Sequence, residues 1–257
     1  MDSTKCSCKY KALERVHYFS RQLITADDMT AEQHYFREKL RRHNLFLHGW
    51  GVVCGCEVKA APDDDHPWRV QVCPGYVIGP QGDEIMVSDP IYFDLSGDWL
   101  QPHDPCVRPW PCPPTGTMPA PGRREPVYLA IRFAECDSRP VRVHPMGCAC
   151  EEEGCEYTRI RDDFELALLW ELPEGYQQLK KDMRDWLDMI QGIEREAPVL
   201  PSCAHCSDSP WVVLAGINLP ADQKTLIEDQ NIDYRDRVKL YSTWFIESLI
   251  RFVMLKL

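Results

Sequence analysis

The sequence predicts an α+β protein, a β-rich body framed by an N-terminal helix and an apolar C-terminal helix. Three observations predict it. A stretch with helical spacing is bounded by a capping threonine, Thr25, and a terminating glycine, Gly49. Short runs between Gly51 and Leu219 alternate apolar with polar residues, most regularly at Val127, Leu129, Ile131 and Phe133. The stretch Val238–Leu257 is apolar on most sides.

Residues 1–24 begin polar, with Cys6 and Cys8, and turn apolar through Val16, Tyr18, Phe19, Leu23 and Ile24. In the first helix Thr25 caps the opening turn, Asp27 and Asp28 suit its positive end, and Thr30 with Gln33 offers a second start. Met29, Phe36, Leu40 and Leu47 share one face, at spacings of seven, four and seven. Arg37, Lys39, Arg41 and Arg42 make the other face basic, a surface for water or for an acidic neighbour.

Strands follow. Gly51–Lys59 alternates, with Val52, Cys54, Cys56 and Val58 expected on one face, the two cysteines as small core residues. Trp68–Cys73 alternates again, and Pro74-Gly75 is a turn. Tyr76–Ile78 and Glu84–Val87 flank Gly79-Pro80-Gln81-Gly82-Asp83, which reads as a hairpin loop. Pro90–Leu95, Val127–Phe133, Phe164–Leu169 and Trp211–Leu219 complete the strands. Tyr176, Leu179, Met183, Trp186, Ile190 and Ile193 stripe a second helix over Glu174–Glu196. Because a helix apolar all round is a buried one, the C-terminal helix is expected to pack against this chain or a partner subunit.

This order divides the chain into an N-terminal arm and helix (1–50), a β-rich part (51–101), a proline-rich arm (102–125), a continued β-rich part (126–220) with the helix 174–196 inserted, and a helical tail (221–257). The arm holds many of the 21 prolines, so no regular structure is expected there; Trp110 could anchor it in a pocket. There is no internal repeat and no heptad array sustained over several turns.

With 257 residues, 44% hydrophobic and 27% charged, the chain is neither disordered nor fibrous. Its net charge of −11 leaves no basic excess for phosphates, so no nucleic-acid partner is expected. No apolar run of about twenty residues exists, so no membrane-spanning segment is expected. The first residues lack the apolar core of a signal peptide, and assembly in the cytoplasm is the expectation.

The 13 cysteines are the sharpest chemical feature, and their odd count forbids complete internal pairing. Cys148, Cys150 and Cys155 precede Cys203 and Cys206 by about fifty residues. A C-x-x-C pair fits two thiolates of a tetrahedral zinc site, and the first cluster would complete it on folding. That cluster reads C-x-C-x₄-C instead of C-x-x-C, so a structural zinc, disulfides formed on oxidation and free thiols all stay open. Glu151, Glu152 and Glu153 beside it would favour a cation. A redox reading of Cys203-Ala204-His205-Cys206 needs a strand and a helix around it, and prolines flank it instead. Cys106 and Cys112 on the arm could pair with each other or between subunits.

No nucleophile motif, phosphate loop or dinucleotide fingerprint is present, and the histidines His17, His34, His43 and His48 lack zinc-protease spacing. The chain is therefore read as a non-enzyme. Glu156, Asp162, Asp163 and Glu165 carry no informative spacing in so acidic a chain.

Residues 16–58 carry a resemblance: Val16-His17-Tyr18-Phe19-Ser20-Arg21-Gln22-Leu23-Ile24-Thr25-Ala26-Asp27-Asp28, Glu32-Gln33-His34-Tyr35, Leu40-Arg41-Arg42-His43-Asn44 and Leu47-His48-Gly49-Trp50-Gly51-Val52-Val53-Cys54-Gly55. Further pieces are Cys73-Pro74-Gly75-Tyr76-Val77-Ile78-Gly79-Pro80-Gln81-Gly82-Asp83-Glu84-Ile85, Glu156-Tyr157-Thr158-Arg159-Ile160-Arg161 and Val238-Lys239-Leu240-Tyr241-Ser242-Thr243. Together they resemble an uncharacterised family encoded with phage-tail-like, extracellular contractile injection systems and with some phage tails. The resemblance implies a structural subunit of the particle, associated with baseplate or fibre, and brings no catalytic residues. Other particle subunits and further copies of this chain are the implied partners. Cap, baseplate, fibre base and cargo all stay open as its place. Two other classes are weighed: a metal-binding or redox enzyme on the cysteine clusters, and a receptor- or carbohydrate-binding module contacting ligand through Tyr92, Trp99 and Trp110.

Overall fold

The computed structural model describes residues 11–96, 126–143, 154–173, 175–176, 209–222 and 224–254. The proline-rich arm, nearly all of the helix expected over Glu174–Glu196, and Trp99, Trp110, Cys106 and Cys112 lie outside them.

Helix α1 spans Ala26–Leu47. Thr25 caps it: its Oγ1 accepts from the Asp28 N–H while the Asp28 carboxylate accepts from the Thr25 N–H, at 3.2 and 2.9 Å. The Asp28 carboxyl is held below its ordinary range by accepting the N–H and the hydroxyl of Thr25. At the far end the His48 and Gly49 N–H groups bond back to the Asn44 carbonyl. Both boundaries match the expectation.

The expected strand Gly51–Lys59 is two strands, β1 (Gly51–Gly55) and β2 (Val58–Ala60). Between them Cys56 takes φ 50°, which turns the chain and rotates the following residues. The register also shifts between Val52 and Cys54, and Cys54 and Cys56 do not share a face: Cys56 is fully buried and Cys54 is exposed. Strands β3 (Arg69–Val72), β4 (Gly75–Ile78), β5 (Glu84–Val87) and β6 (Ile91–Asp94) fall inside or beside the predicted runs. They make two antiparallel three-stranded sheets, ordered β1-β4-β5 and β2-β3-β6.

The third sheet is built on β7 (Val127–Val143) and β8 (Gly154–Leu169), with β9 (Val212–Ile217) and β10 (Ile232–Asp233), ordered β10-β9-β7-β8. Every residue of β9 is buried because it lies between β7 and β10 with both faces covered. β7 and β8 run far past the alternating stretches that predicted them, pairing in register out to Val143 and Gly154. On β7, β9 reaches only Val127–Ile131, so among the described residues the outer part of β7 and β8 is a two-stranded ribbon.

One hydrophobic core joins the sheets, with Trp68, Tyr176, Phe164, Leu129, Ile131 and Ile227 among its fully buried side chains. Tyr176 sits edge-on to Trp50 at 5.1 Å between ring centres, and its hydroxyl accepts the Val213 N–H.

The two helices leave most of their apolar side chains outside this core. The apolar stripe of α1 does not face this core: Met29, Phe36, Leu40 and Leu47 are 49% to 69% exposed, and only Asn44 and Leu45 are buried. The C-terminal helix α2 spans Thr243–Met254 and starts five residues later than expected, because Val238–Leu240 pair with β1 instead. Nor is α2 buried within this chain.

Candidate functional site

Among the described residues α2 presents a run of exposed apolar side chains, and its position is set by the segment before it. Val52 and Lys239 form a parallel bridge, in which the Val52 N–H donates to Val238 and the Val52 carbonyl accepts from Leu240, each at 2.9 Å. Gly51 permits the approach: at φ +139°, a Cβ there would stand 2.8 Å from the Val238 carbonyl oxygen. Upstream, the Arg237 guanidinium donates to the carbonyls of Cys56 (3.1 Å) and Gly55. Tyr234 clasps β2 with one hydroxyl, which donates to the Val58 carbonyl at 2.6 Å and accepts the Val58 N–H at 3.0 Å. Four residues, Tyr234, Arg237, Val238 and Leu240, thus tie this segment to β1, β2 and the turn between them.

From this tether α2 leaves the body. Ser242 Oγ accepts the Phe245 N–H at 3.3 Å, an N-cap that starts the helix. Glu247, Ser248 and Arg251 lie on one side of α2, where Arg251 pairs with Glu247 at 2.6 Å. Phe245, Ile246, Leu249, Ile250, Phe252 and Met254 cover an arc of about 200° at 3.6 residues per turn. All six are exposed, as is Trp244 at 74%. A soluble monomer rarely leaves so continuous an apolar surface open.

A second junction lies on the same sheet as β1. Asn44 Nδ2 donates to the Gly82 carbonyl at 3.0 Å and to Glu84 at 3.2 Å, and Arg41 Nε meets Asp83 at 2.6 Å while its Nη1 meets Glu38 at 2.7 Å. These bonds fix α1 on the loop between β4 and β5. Tyr76, also bonded to Glu84, has its hydroxyl pushed up to about 12, first by burial. Farther along, Arg37 pairs with Glu135 on β7, and Arg132 holds the buried Glu165 at 2.6 Å while lying 4.8 Å over the Trp211 ring.

The cysteines resolve in part. Cys148, Cys150, Cys203 and Cys206 lie outside the described residues. Cys155 is placed by its backbone alone, opposite Arg142 on the β7–β8 ribbon. Cys136, buried on β7, is disulfide-bonded, and sequence spacing gave no sign of it. Cys54, Cys56 and Cys73 are free thiols; burial pushes Cys56 up to about 11. Among the described residues no group of three metal-ligating side chains converges. Tyr92, the described member of the proposed ligand-contact set, lies half exposed under the Arg69 guanidinium at 4.9 Å. Among the described residues no helix is long and apolar enough to cross a membrane.

No protein-family model matches the sequence, and no curated protein matches it. Among solved structures the chain is similar to TssK, at 10% identity and a TM-score of 0.39, over 86% of this chain and 41% of that one. It is also similar to a chain of the type VI secretion system TssK-TssF-TssG baseplate subcomplex, at 15% identity and a TM-score of 0.33, over 63% of this chain and 52% of that one. The chain therefore spans about half or less of the length of the structures it matches.

Proposed function

We propose that this chain is a structural subunit of a phage-tail-like contractile injection particle, associated with its baseplate or fibre, and that it works by docking α2 onto neighbouring subunits. The observation that carries the reading is α2 itself: a 12-residue helix with an exposed apolar arc, on a tether fixed by four attachments. A firm tether limits the conformational freedom lost on docking, which is what preorganised binding requires. The exposed apolar side chains of α2 offer on the order of 5–10 kcal/mol of burial before the costs of association.

The family resemblance supports the same reading, because its separate pieces meet in the fold. Leu40-Arg41-Arg42-His43-Asn44 clasps the loop Gly79–Glu84, and Trp50-Gly51-Val52 holds Val238-Lys239-Leu240. These residues build the body and aim its tail, a role suited to a scaffold subunit with no catalytic centre. Assembly in the cytoplasm with other particle subunits, in several copies, belongs to this proposal. So does a structural zinc on Cys148, Cys150, Cys155, Cys203 and Cys206, which native mass of the reduced chain would read directly.

The test is incorporation. A chain carrying Ile246→Asp and Ile250→Asp should melt at the same temperature as the wild type, since both side chains are exposed. It should be missing from sedimented particles that contain the wild-type chain. Equal incorporation of the variant, or a wild-type chain that never sediments with particles, overturns the proposal.

A further inference from the structure

Helix α1 lies on this chain with its apolar side outward. At 3.6 residues per turn, Met29, Phe36, Leu40 and Leu47 fall within an arc of about 40°, and all four are exposed. Less exposed are Asp28, Glu32, Tyr35, Glu38, Arg42 and Leu45, in an arc of about 140° centred roughly 130° away. All of these but Leu45 carry a polar group. A helix that packs on a globular core turns its apolar band inward, and α1 does the opposite.

Its attachments match that orientation. Arg37 pairs with Glu135 on β7, with side chains 44% and 35% exposed. Arg41 meets Asp83, and Asn44 meets the Gly82 carbonyl and Glu84. Leu45 is the one apolar residue of the helix that is buried. Glu32 Oε2 is buried with no hydrogen-bond partner among the described residues. That is a cost of the closed position, and water would relieve it in an open one. Solvent-exposed ion pairs contribute little each, and salt weakens them further.

The chain after α1 can bend without disturbing the body. Gly49, at φ +83°, stands between the C-cap His48 and the buried Trp50. From Trp50 onward the chain is held: Trp50 packs edge-on to Tyr176, and Gly51 lies against Val238. A change of backbone dihedrals at His48 and Gly49 therefore swings α1 while the sheets keep their contacts. Detached, α1 loses the tertiary contacts from which helices in proteins draw most of their stability, so its amides would exchange.

We infer that α1 is a releasable arm: it opens about Gly49 as one unit while the sheets stay folded, and ionic strength sets the balance. The inference goes beyond the particle reading and does not depend on it. Native-state hydrogen exchange of the full chain, read by mass spectrometry on peptides from α1 and β9, tests it. Amides of residues 37–47 should share one protection, at least about tenfold below that of β9. Their urea dependence should be the weaker one, since opening exposes little apolar surface. Between about 0.05 and 0.5 M NaCl, protection of α1 should fall about threefold or more. Protection of β9 should hold or rise, because the same screening relieves the self-repulsion of a chain with net charge −11. Arg37→Gln, at an exposed position, should lower α1 protection about threefold and leave β9 unchanged. No particle enters the measurement, so it stands or falls apart from the docking of α2. Protection of α1 that equals that of β9, is graded from the helix ends, or rises with salt overturns the inference.

Discussion

Gly82 lies directly on the backbone of Arg41. Its φ is +89°, and a Cβ at that position would come 2.7 Å from the Arg41 carbonyl carbon and 2.8 Å from its Cα. The neighbouring Asp83 takes the Arg41 guanidinium, and the Gly82 carbonyl takes the Asn44 amide. Helix α1 is therefore joined to the sheets by backbone proximity and polar pairing, with only Leu45 buried from its apolar residues.

Gly82→Ala should cost at least about 2 kcal/mol, from a left-handed backbone that alanine resists and from steric conflict with a backbone that cannot move aside cheaply. Urea unfolding monitored by circular dichroism reads the loss. Gln81→Ala beside it, exposed in the same loop, should change stability by less than about 0.5 kcal/mol and serves as the control.

The sequence made some of this legible. Thr25 with Asp28, and Gly49, marked both ends of α1 because capping chemistry is local. The hairpin β4–β5 was legible from alternation around a Gly-Pro loop. The outer ribbon was not. Its strands contain Asp137, Arg139, Pro140, Arg159 and Arg161, and with no core to face they carry no alternation. The exposure of the α1 stripe was not legible either: periodicity shows that apolar residues share a face, and leaves open whether this chain covers it. The same holds for α2, whose apolar character was legible while its exposure was not. Its true start carried a signal in Ser242, the N-cap, which the continuous apolar run obscured.

Tyr234→Phe tests the tether. One hydroxyl satisfies both the N–H and the carbonyl of Val58, a residue 2% exposed. Removing it leaves two polar groups without that partner at a buried site, at about 1–3 kcal/mol. Hydrogen exchange should show the Val58 amide opening faster, and proteolysis near Leu240 should accelerate as the segment loosens.

Thiol labelling distinguishes the two cysteines that alternation placed on one face. Cys54 is exposed and should be alkylated by iodoacetamide in the native chain. Cys56 is buried, and with its thiol pushed up to about 11 it presents about one thiolate in ten thousand at neutral pH. Peptide mass after brief labelling at pH 7 should find Cys54 modified and Cys56 intact, with Cys56 reacting only in denaturant. Equal labelling would place Cys56 at the surface and remove the turn between β1 and β2.

Asp163 gives a pH dependence with a definite sign. Its side chain is fully buried on β8, accepts the Phe164 N–H at 2.9 Å and lies 3.5 Å from Arg161. Burial outweighs those two interactions and raises its carboxyl above the ordinary 3.8. A folded-state value above the unfolded one means that the protonated form is favoured on folding. That contribution is complete below the unfolded value of 3.8 and is lost as pH rises through the raised folded value. At neutral pH the ionised carboxylate therefore works against the fold. Asp163→Asn keeps an oxygen for the Phe164 N–H and removes the charge, so it should stabilise the protein at pH 7. The gain should shrink on acidification and reach its minimum below pH 3.8, where the wild-type carboxyl is protonated in both states. Thermal melts of the two chains from pH 3 to pH 7 measure the difference, and a gain that grew on acidification would show that the Arg161 pairing, not burial, controls this carboxylate.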